Sequence, residues 1–196
     1  MARPREFNHD QVLDAAMATF WAKGYEATSL ADLTRAMGLS KSSFYEAFGS
    51  KHKLFLKVID RYGETVVAPR LRLLETGNWA GGTIAVLFER IIEEVLAEDP
   101  RRGCLAGNGA SELLPGDTVV APHINACLMR YEDAFHGVLV RARERGEFPP
   151  ERDLRAMARF LAACLQGLYV MAQAGAGRDA LNDIAGGALA SLASLA

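Results

Sequence analysis

The sequence has few cysteines, and no two of them lie close together. Three occur in 196 residues, at Cys104, Cys127 and Cys164, and none belongs to a CxxC motif. An odd, widely spaced set argues against a disulfide framework and against a zinc site, and suits a reducing compartment. The N-terminus also lacks the apolar run of a signal peptide, so we expect a cytoplasmic protein.

Strand-like alternation of useful length is missing as well, and almost the whole chain has helical periodicity. One uncharged stretch, 160–177, reaches the lower length limit of a membrane-spanning helix. It contains Gln166 and Gln173, and Arg159 and Arg178 flank it closely. We therefore interpret this stretch as a buried or subunit-interface helix and expect no membrane partner.

Motifs for catalysis and cofactor binding are absent. There is no HExxH and no glycine-rich phosphate loop after a strand. An enzyme would have to combine Cys104 or Cys127 with His123 or His136, and no orienting carboxylate is obvious. We expect no enzymatic activity, no cofactor and no metal.

A strong excess of basic charge is missing too. The formal net charge is −2 and the isoelectric point is near 6.1. A wholly basic domain would be the usual sign of a nucleic-acid binder, but charge can also be sorted along a chain. Lys41, Lys51 and Lys53 do cluster within one early segment.

What the chain does contain is a series of helix signals that predicts about nine helices. The expected ranges are 9–23, 30–37, 41–48, 51–74, 83–98, 104–113, 119–145, 151–174 and 179–195. Pro69 lies inside the fourth range and predicts a kink near residues 67–68. We expect an all-α protein with a small domain over residues 1–50 and a larger helical bundle over 51–196.

The segment around residues 29–48 predicts a helix-turn-helix. Ser29 with Asp32 forms a capping signal, Gly38 permits a tight left-handed exit, and Ser40 caps the next helix. Small polar residues at the start of that helix suit insertion into a DNA major groove. The alternative is a plain helical corner with a solvated polar face.

A longer match favours the first interpretation. The stretches VLDAAMATFWAKGYEATSLADL and AMGLSKSSFYEAFGSKHKLFLKVI make residues 7–57 resemble the DNA-binding domain of TetR family transcriptional repressors. The resemblance implies that Thr28 and Arg35 lie near backbone phosphates and that Ser42 and Ser43 face bases. It also implies that Tyr45 and Lys51 bind phosphate, and that Lys41 lies near a base edge or a phosphate.

The chain departs from the family pattern at Glu46 and Ala47, where many relatives have a histidine or a second aromatic residue. Glu46 either accepts a hydrogen bond from a cytosine amino group or repels phosphate. Arg3 and Arg5, before the first helix, either reach the minor groove as an arm or form a plain disordered start.

In proteins of this family the last two helices pack against those of a second copy, which implies a homodimer. Apolar residues at helical spacing predict the interface: Leu161, Leu165, Leu168, Ala185, Leu189 and Leu192. The alternative is an intramolecular core. The family also implies an effector cavity among the central helices. We expect it to be lined by Phe88, Ile92, Cys104, Asn108, Cys127, Tyr131, Phe135, Gln166 and Tyr169, although each could be ordinary core.

The GCLAGN segment is similar to one in a subgroup of the family that includes electrophile- and oxidant-responsive repressors. Cys104 follows Arg101 and Arg102 and lies near a helix start, and both of these features predict a lowered thiol pKa. Cysteine is also a common small core residue. Gly103, Gly107 and Gly109 more simply permit close helix packing.

Together these features predict a regulator that binds a palindromic operator in double-stranded DNA and is released by a small-molecule effector. Two alternatives stay open at this stage. The protein could activate transcription, or it could be a helical small-molecule-binding protein whose DNA affinity is weak or lost. Glu46 and Ala47 are the reason for keeping the second alternative.

Overall fold

The computed structural model of the chain describes residues 8–77 and 79–193. Over these residues the chain forms ten α-helices, one π-helical turn and no strand. The helices are α1 His9–Lys23, α2 Leu30–Met37, α3 Lys41–Phe48, α4 Lys51–Tyr62, α5 Ala68–Thr76, α6 Ala80–Ala97, α7 Leu105–Leu113, α8 Ala121–Glu144, α9 Leu154–Gln173 and α10 Arg178–Ala193. The all-α prediction is confirmed. Arg3, Arg5 and the end of the last predicted helix lie outside the described residues.

The first three helices begin and end at the residues that the capping signals predicted. The Ser29 hydroxyl accepts from the Asp32 backbone N–H, and the Asp32 carboxylate accepts from the Ser29 N–H in return. Gly38 takes the left-handed conformation that ends α2, with φ of 65°. Ser40 then caps α3 through the Ser43 N–H. Because all of these contacts are local, they were readable from the sequence.

The predicted fourth helix is divided in two, which gives ten helices instead of about nine. A π-helical turn, Gly63–Val67, separates α4 from α5, so the break begins four residues before the kink expected near residue 67. Pro69 is near the start of α5, where its missing N–H costs little. Arg130 donates from Nη1 to the Gly63 carbonyl at 2.9 Å and so binds the wide turn to α8.

Two other boundaries differ from the predicted ones. Helix α6 begins at Ala80, three residues early, because the Thr83 N–H donates to the Trp79 carbonyl at 2.9 Å and so adds a turn before Thr83. The indole of Trp79 occupies the space beside Gly81 and Gly82 that a Cβ would need. Helix α9 begins at Leu154, three residues late, because Asp153 is its cap and accepts from the Ala156 N–H at 2.9 Å.

Aromatic rings at the junction of the two parts of the chain join them into one hydrophobic core. Phe55 of α4 lies 5.0 Å from the Phe20 ring of α1 and 4.9 Å from the Tyr25 ring, measured between centroids. On its other side Phe55 meets α7 at Gly109, where an added Cβ would come within 3.1 Å of the ring. The prediction that Gly109 permits close packing is therefore confirmed.

The core of the larger part is formed by α8 packed on α5, α7 and α9, with α10 covering α6 and α9. None of the helices in the described part of the chain is long and apolar enough to cross a membrane, α9 included.

Replacing Phe55 with alanine should lower the free energy of unfolding by about 3–5 kcal/mol, since the ring fills the junction and leaves a cavity when removed. Urea denaturation followed by circular dichroism measures the change. Val119→Ala is the matched control, because this side chain is mostly exposed and its loss should change stability by about 0.5 kcal/mol or less. A small effect of Phe55→Ala would mean that the two parts do not share a core.

Candidate DNA-binding surface and effector cleft

Helix α3 has one buried and one exposed face. Phe44 and Phe48 are buried against α2 and α4, which holds the helix against the rest of the small domain. Lys41, Ser42 and Tyr45 lie on the opposite face, and Tyr45 has 48% of its surface exposed. A short helix with its polar face outward at the edge of the protein has the shape required to enter a major groove.

The serine hydroxyls at the start of α3 form a small network among themselves. Ser40 Oγ lies 2.9 Å from both Ser42 Oγ and Ser43 Oγ. Ser42 is exposed and Ser43 is half-buried. Hydroxyls can rotate to another acceptor at little cost, so Ser42 is free to exchange this contact for a base or a phosphate.

Lys51 lies at the start of α4, beside the corner at residues 24–29 that joins α1 to α2. Its Nζ is 4.4 Å from the centroid of the Tyr25 ring and 3.4 Å from the Glu26 carbonyl oxygen. These contacts hold the ammonium group at the surface next to α3. A cation held in place in this way loses less side-chain entropy when it binds a phosphate.

Two predicted contacts have different surroundings. Arg35 is exposed near the end of α2, where a phosphate could reach it. Thr28 is only 1% exposed, and its hydroxyl donates to the Gly24 carbonyl at 2.6 Å. The Thr28 side chain therefore stabilises the corner from within, and the expectation that Thr28 lies near a backbone phosphate stays a prediction.

Charge is distributed unevenly over the first four helix starts. Helices α1 and α2 have Asp10 and Asp32 in their first turns, whereas α3 and α4 have no acidic residue there. Lys41, Lys51 and Lys53 occupy those two first turns instead, at the positive end of each helix dipole. This arrangement is unfavourable without an anion and favourable with one. Lys53, which is exposed, was missing from the predicted contacts although its position two residues after Lys51 indicates it.

A cleft of about 690 Å³ lies between the small domain and the larger bundle. We call it the junction cleft, and its walls are residues 21–24 of α1, residues 100–104, α7, Leu128 of α8 and the C-terminal half of α9. Four of the nine predicted effector residues line it: Cys104, Asn108, Gln166 and Tyr169. The other lining residues were missed, among them Trp21, Lys23, Arg101, Arg102, Ser111, Glu112 and Gln173. They come from distant segments that no periodicity brings together.

The other five predicted effector residues do not line this cleft: Phe88, Ile92, Cys127, Tyr131 and Phe135 are buried in the core. The Phe88 and Phe135 rings stack on each other with centroids 6.3 Å apart. Their place in the wall of an effector cavity stays a prediction, because the same apolar spacing and burial mark both a cavity wall and ordinary packing.

Behind the cleft, four helices bring three tyrosines and a guanidinium together. Arg70 of α5 donates from Nη1 to the Tyr169 hydroxyl at 3.3 Å and from Nε to Glu94 at 2.9 Å. The Tyr62 hydroxyl donates to Cys104 Sγ at 3.8 Å. The Tyr131 hydroxyl is buried without a hydrogen-bond partner, and burial raises the pKa of Tyr131 to about 12. Burial also raises the pKa of Tyr62 and of Tyr169, so all three phenols are neutral at physiological pH.

Burial also decides the state of the Cys104 thiol. The side chain is 2% exposed, and desolvation raises its pKa above the ordinary value, although Sγ accepts from the Gly107 N–H at 3.4 Å. The prediction of a lowered pKa is wrong, because burial outweighs the contacts that lower the pKa. The charged ends of Arg101 and Arg102 also bind elsewhere, Arg101 to the carbonyl oxygens of residues 172 and 176 and Arg102 to Glu98. In the described residues no cluster of His, Cys, Asp or Glu could hold a metal ion.

The predicted interface leucines of α9 point into the protomer. Leu161, Leu165 and Leu168 are fully buried, and Ala185 and Leu192 are also buried. Leu189 is half-buried. The expectation for the buried five is corrected, because helical spacing identifies an apolar face without showing what covers it.

A second apolar face of α9 is open to solvent. Phe160 is 49% exposed and Val170 is 61% exposed, with Met171 and Gly167 also exposed. On α10, Gly186 and Gly187 have open space where a side chain would be. Two adjacent helices thus present small and apolar residues outward.

An exposed recognition helix on a capped helix-turn-helix, joined to a helical domain with a cleft at the junction, defines the class of DNA-binding transcriptional regulators. Comparison with known proteins identifies the group within this class. Residues 12–58 match the family described as bacterial regulatory proteins, tetR family, and residues 83–185 match the tetracyclin repressor-like C-terminal domain. The chain belongs to the TetR family.

Individual relatives cover nearly the whole chain. The HTH-type transcriptional repressor ComR of Escherichia coli is 34% identical over 94% of this chain and 88% of its own length. An uncharacterized HTH-type regulator of Bacillus subtilis, YezE, is 32% identical over 93% and 95%. Among solved structures, the TetR family regulator CifR in complex with 26-bp operator DNA superposes with a TM-score of 0.85, at 32% identity over 95% of this chain and 98% of that chain.

The chain is therefore a DNA-binding transcriptional regulator and not an enzyme, as predicted. The likeness to CifR extends over both the helix-turn-helix and the larger bundle.

Replacing both Tyr45 and Lys51 with alanine should weaken binding to every duplex and abolish specific binding. In a plot of log affinity against log salt concentration, the slope should be less steep by about 1, since one phosphate-bound cation is lost. Fluorescence anisotropy over a range of salt concentrations measures it. Arg72→Ala, which removes an exposed cation of α5, is the control and should leave the salt dependence unchanged. Unchanged binding by the double variant would reject this surface as the DNA site.

Proposed function

We propose that the protein is a homodimeric repressor that binds a palindromic operator through α3 of each protomer and leaves it when a small molecule binds. The observation that carries the proposal is the polar face of α3, which is open to solvent while Phe44 and Phe48 fix the helix from behind. The named roles of relatives support it, because ComR is a repressor and CifR binds operator DNA. Such a regulator works where the DNA is, in the cytoplasm.

Within this proposal Lys41, Ser42 and Tyr45 enter or border the groove, and Ser43 contributes if its contact with Ser40 is exchanged. Lys51 and Lys53 bind phosphate at the start of α4, and Arg35 binds phosphate from α2. Glu46 is exposed on the same face as Tyr45. A carboxylate there favours a cytosine at the opposing position, since it accepts from the N4 amino group.

The dimer is formed by the exposed face of α9, with Phe160, Gly167 and Val170, packed together with α10. Small residues let the backbones approach, and the apolar side chains are removed from water when a second copy covers them. In such a dimer, α9 and α10 of both protomers form one rigid four-helix contact. The two recognition helices can then meet successive major grooves, about 34–36 Å apart.

Selection of bound sequences from random duplex DNA tests the proposal directly. We expect a palindrome whose half-sites are about one helical turn apart, because two identical helices are related by a two-fold axis. Sedimentation of the free protein should give a dimer at the concentration used. Recovery of no common sequence, or of a single unrepeated half-site by a monomer, would contradict the proposal.

A finer proposal concerns the response to electrophiles or oxidants. The GCLAGN segment places Cys104 in the wall of the junction cleft, where a small reagent could reach it. Burial raises the pKa of this thiol, so a response would need the cleft to open and hydrate Sγ first.

Cys104→Ser should remove any loss of operator binding that hydrogen peroxide or N-ethylmaleimide causes in the unaltered protein. Anisotropy before and after treatment measures the loss. Cys164→Ser, at the half-buried cysteine of α9, is the matched control and should respond as the unaltered protein does. Equal responses of both variants would exclude Cys104 as a sensor.

A further inference from the structure

We infer that the junction cleft is the effector site, that its ligand is a small organic anion, and that the ligand acts on DNA binding through Glu112. This inference rests on the proposed function and adds to it the location, the ligand chemistry and the route to the DNA-binding surface. Phe88, Ile92 and Phe135, which the sequence places around a central cavity, are buried from solvent, whereas the junction cleft is open.

The position of the cleft is the first argument. One wall belongs to the helix-turn-helix, since Trp21, Lys23 and Gly24 are the last turn and end of α1. The facing wall belongs to the larger bundle and includes Asn108 of α7 and Gln166 of α9. A molecule held between these walls touches both domains at once. Its binding free energy therefore depends on their relative placement, which is the requirement for an effector.

The second argument is a direct connection across the cleft. The Glu112 carboxylate of α7 accepts from the Glu26 backbone N–H at 2.8 Å. It also fills the space beside Gly24, where an added Cβ would come within 2.6 Å of Oε1. The same corner is held from the other side by Lys51, through Tyr25 and the Glu26 carbonyl. Glu112 thus positions the corner from which α2 and then α3 begin.

A second connection lies on the same walls. The Trp21 indole N–H donates to the Gly103 carbonyl at 2.9 Å, and the Arg102 guanidinium lies 4.3 Å from the Trp21 ring centroid. Gly103 itself has φ of 65°, and an added Cβ would lie 2.5 Å from Gln173. The backbone at residues 102–104 is therefore fixed between α1 and α9, and a ligand that moves it also moves the end of α1.

The charge of the walls indicates the chemistry of the ligand. Lys23, Arg101 and Arg102 line the cleft against one carboxylate, that of Glu112. Lys23 pairs with Asp32 and Arg102 with Glu98, both at 2.6–2.7 Å. The hydrogen bonds of Arg101 go to backbone oxygens of residues 172 and 176, which do not neutralise its charge.

An anion in the cleft is attracted chiefly by Arg101, the one of these three cations with no carboxylate partner. The Gln166 amide, which also lines the cleft, supplies a further donor, whereas the Gln173 amide already donates to the Arg102 carbonyl and to Asn108. The apolar walls formed by Leu128, Val170 and Pro100 suit an organic body better than a bare inorganic ion. A bound anion repels the Glu112 carboxylate and occupies the volume between the walls. Both effects release the Glu26 N–H and free the corner to move relative to α7.

The test places an anion in the cleft of the folded protein. Ser111 lines the cleft and is exposed, so Ser111→Cys in a Cys164→Ser background can be labelled with sulfonatoethyl methanethiosulfonate. We expect the labelled protein to bind the selected operator about tenfold more weakly than the same protein before labelling, a typical size for coupling between two sites. Labelling with the neutral hydroxyethyl reagent should cause a loss of about threefold or less, since it brings volume without charge.

The matched control carries the same label at Asn125→Cys, which is exposed on α8 and does not line the cleft. Operator affinity there should change by about twofold or less. Peptide mass spectrometry confirms one label per chain and its position at the introduced cysteine. An unchanged affinity of the labelled Ser111→Cys protein would overturn the assignment of the site, and equal losses from the anionic and neutral labels would overturn the ligand class.

The role of Glu112 is tested by combining the label with Glu112→Ala. If Glu112 transmits the effect, the variant weakens operator binding by itself and labelling causes little further loss, so the two effects are not additive. Additive losses would overturn this route. Failure of the unlabelled Ser111→Cys protein to bind any selected duplex, with normal circular dichroism, would instead count against the proposed function, on which this inference depends.

Discussion

The packing of one ring, Phe55, holds the functional parts of this protein in register. It packs against both the Phe20 and Tyr25 rings of the small domain and meets α7 at Gly109, where an added Cβ would come within 3.1 Å of the ring. Helix α4 therefore cannot be displaced without separating three segments that share a core. The recognition helix, the corner at residues 24–29 and the regulatory bundle are all positioned by this contact.

Polar groups around that ring give the junction a definite geometry, which apolar packing alone does not. Glu112, Trp21 and Lys51 each make one hydrogen bond to a backbone group across or beside the junction. A hydrogen bond of this kind contributes only about 1 kcal/mol net. That is small enough to be exchanged for contacts with a ligand or with DNA, and specific enough to select one arrangement among those that the hydrophobic contact would permit.

The sequence allowed the local features to be predicted because their causes are local. Ser29, Asp32, Gly38 and Ser40 satisfy backbone groups within four residues, so the helix-turn-helix was readable without any tertiary information. The polar face of α3 followed from the same short segment. The break after α4 was predicted only approximately, because Pro69 indicates that a helix is interrupted but not that the interruption is a π-helical turn.

The errors concern which partner covers an apolar face. Leu161, Leu165 and Leu168 have the spacing of a helix contact, and that spacing is the same for an intramolecular and an intermolecular partner. The family resemblance implies that Thr28 lies near a phosphate, but it does not indicate that the hydroxyl is used within the corner. The junction cleft combines residues from α1, α7 and α9, and no pattern in one segment shows where another segment will lie.

The π-helical turn at Gly63–Val67 sets the directions in which the side chains of α4 and α5 point relative to each other. It contains about one residue more than an α-helical turn, which rotates everything after it by about 100° around the helix axis. This rotation directs Arg70 towards Glu94 and Tyr169 in the interior. It also interrupts what would otherwise be a single regular helix from Lys51 to Thr76, so that α4 can present Phe55 to the small domain while α5 presents Arg70 to the interior of the bundle.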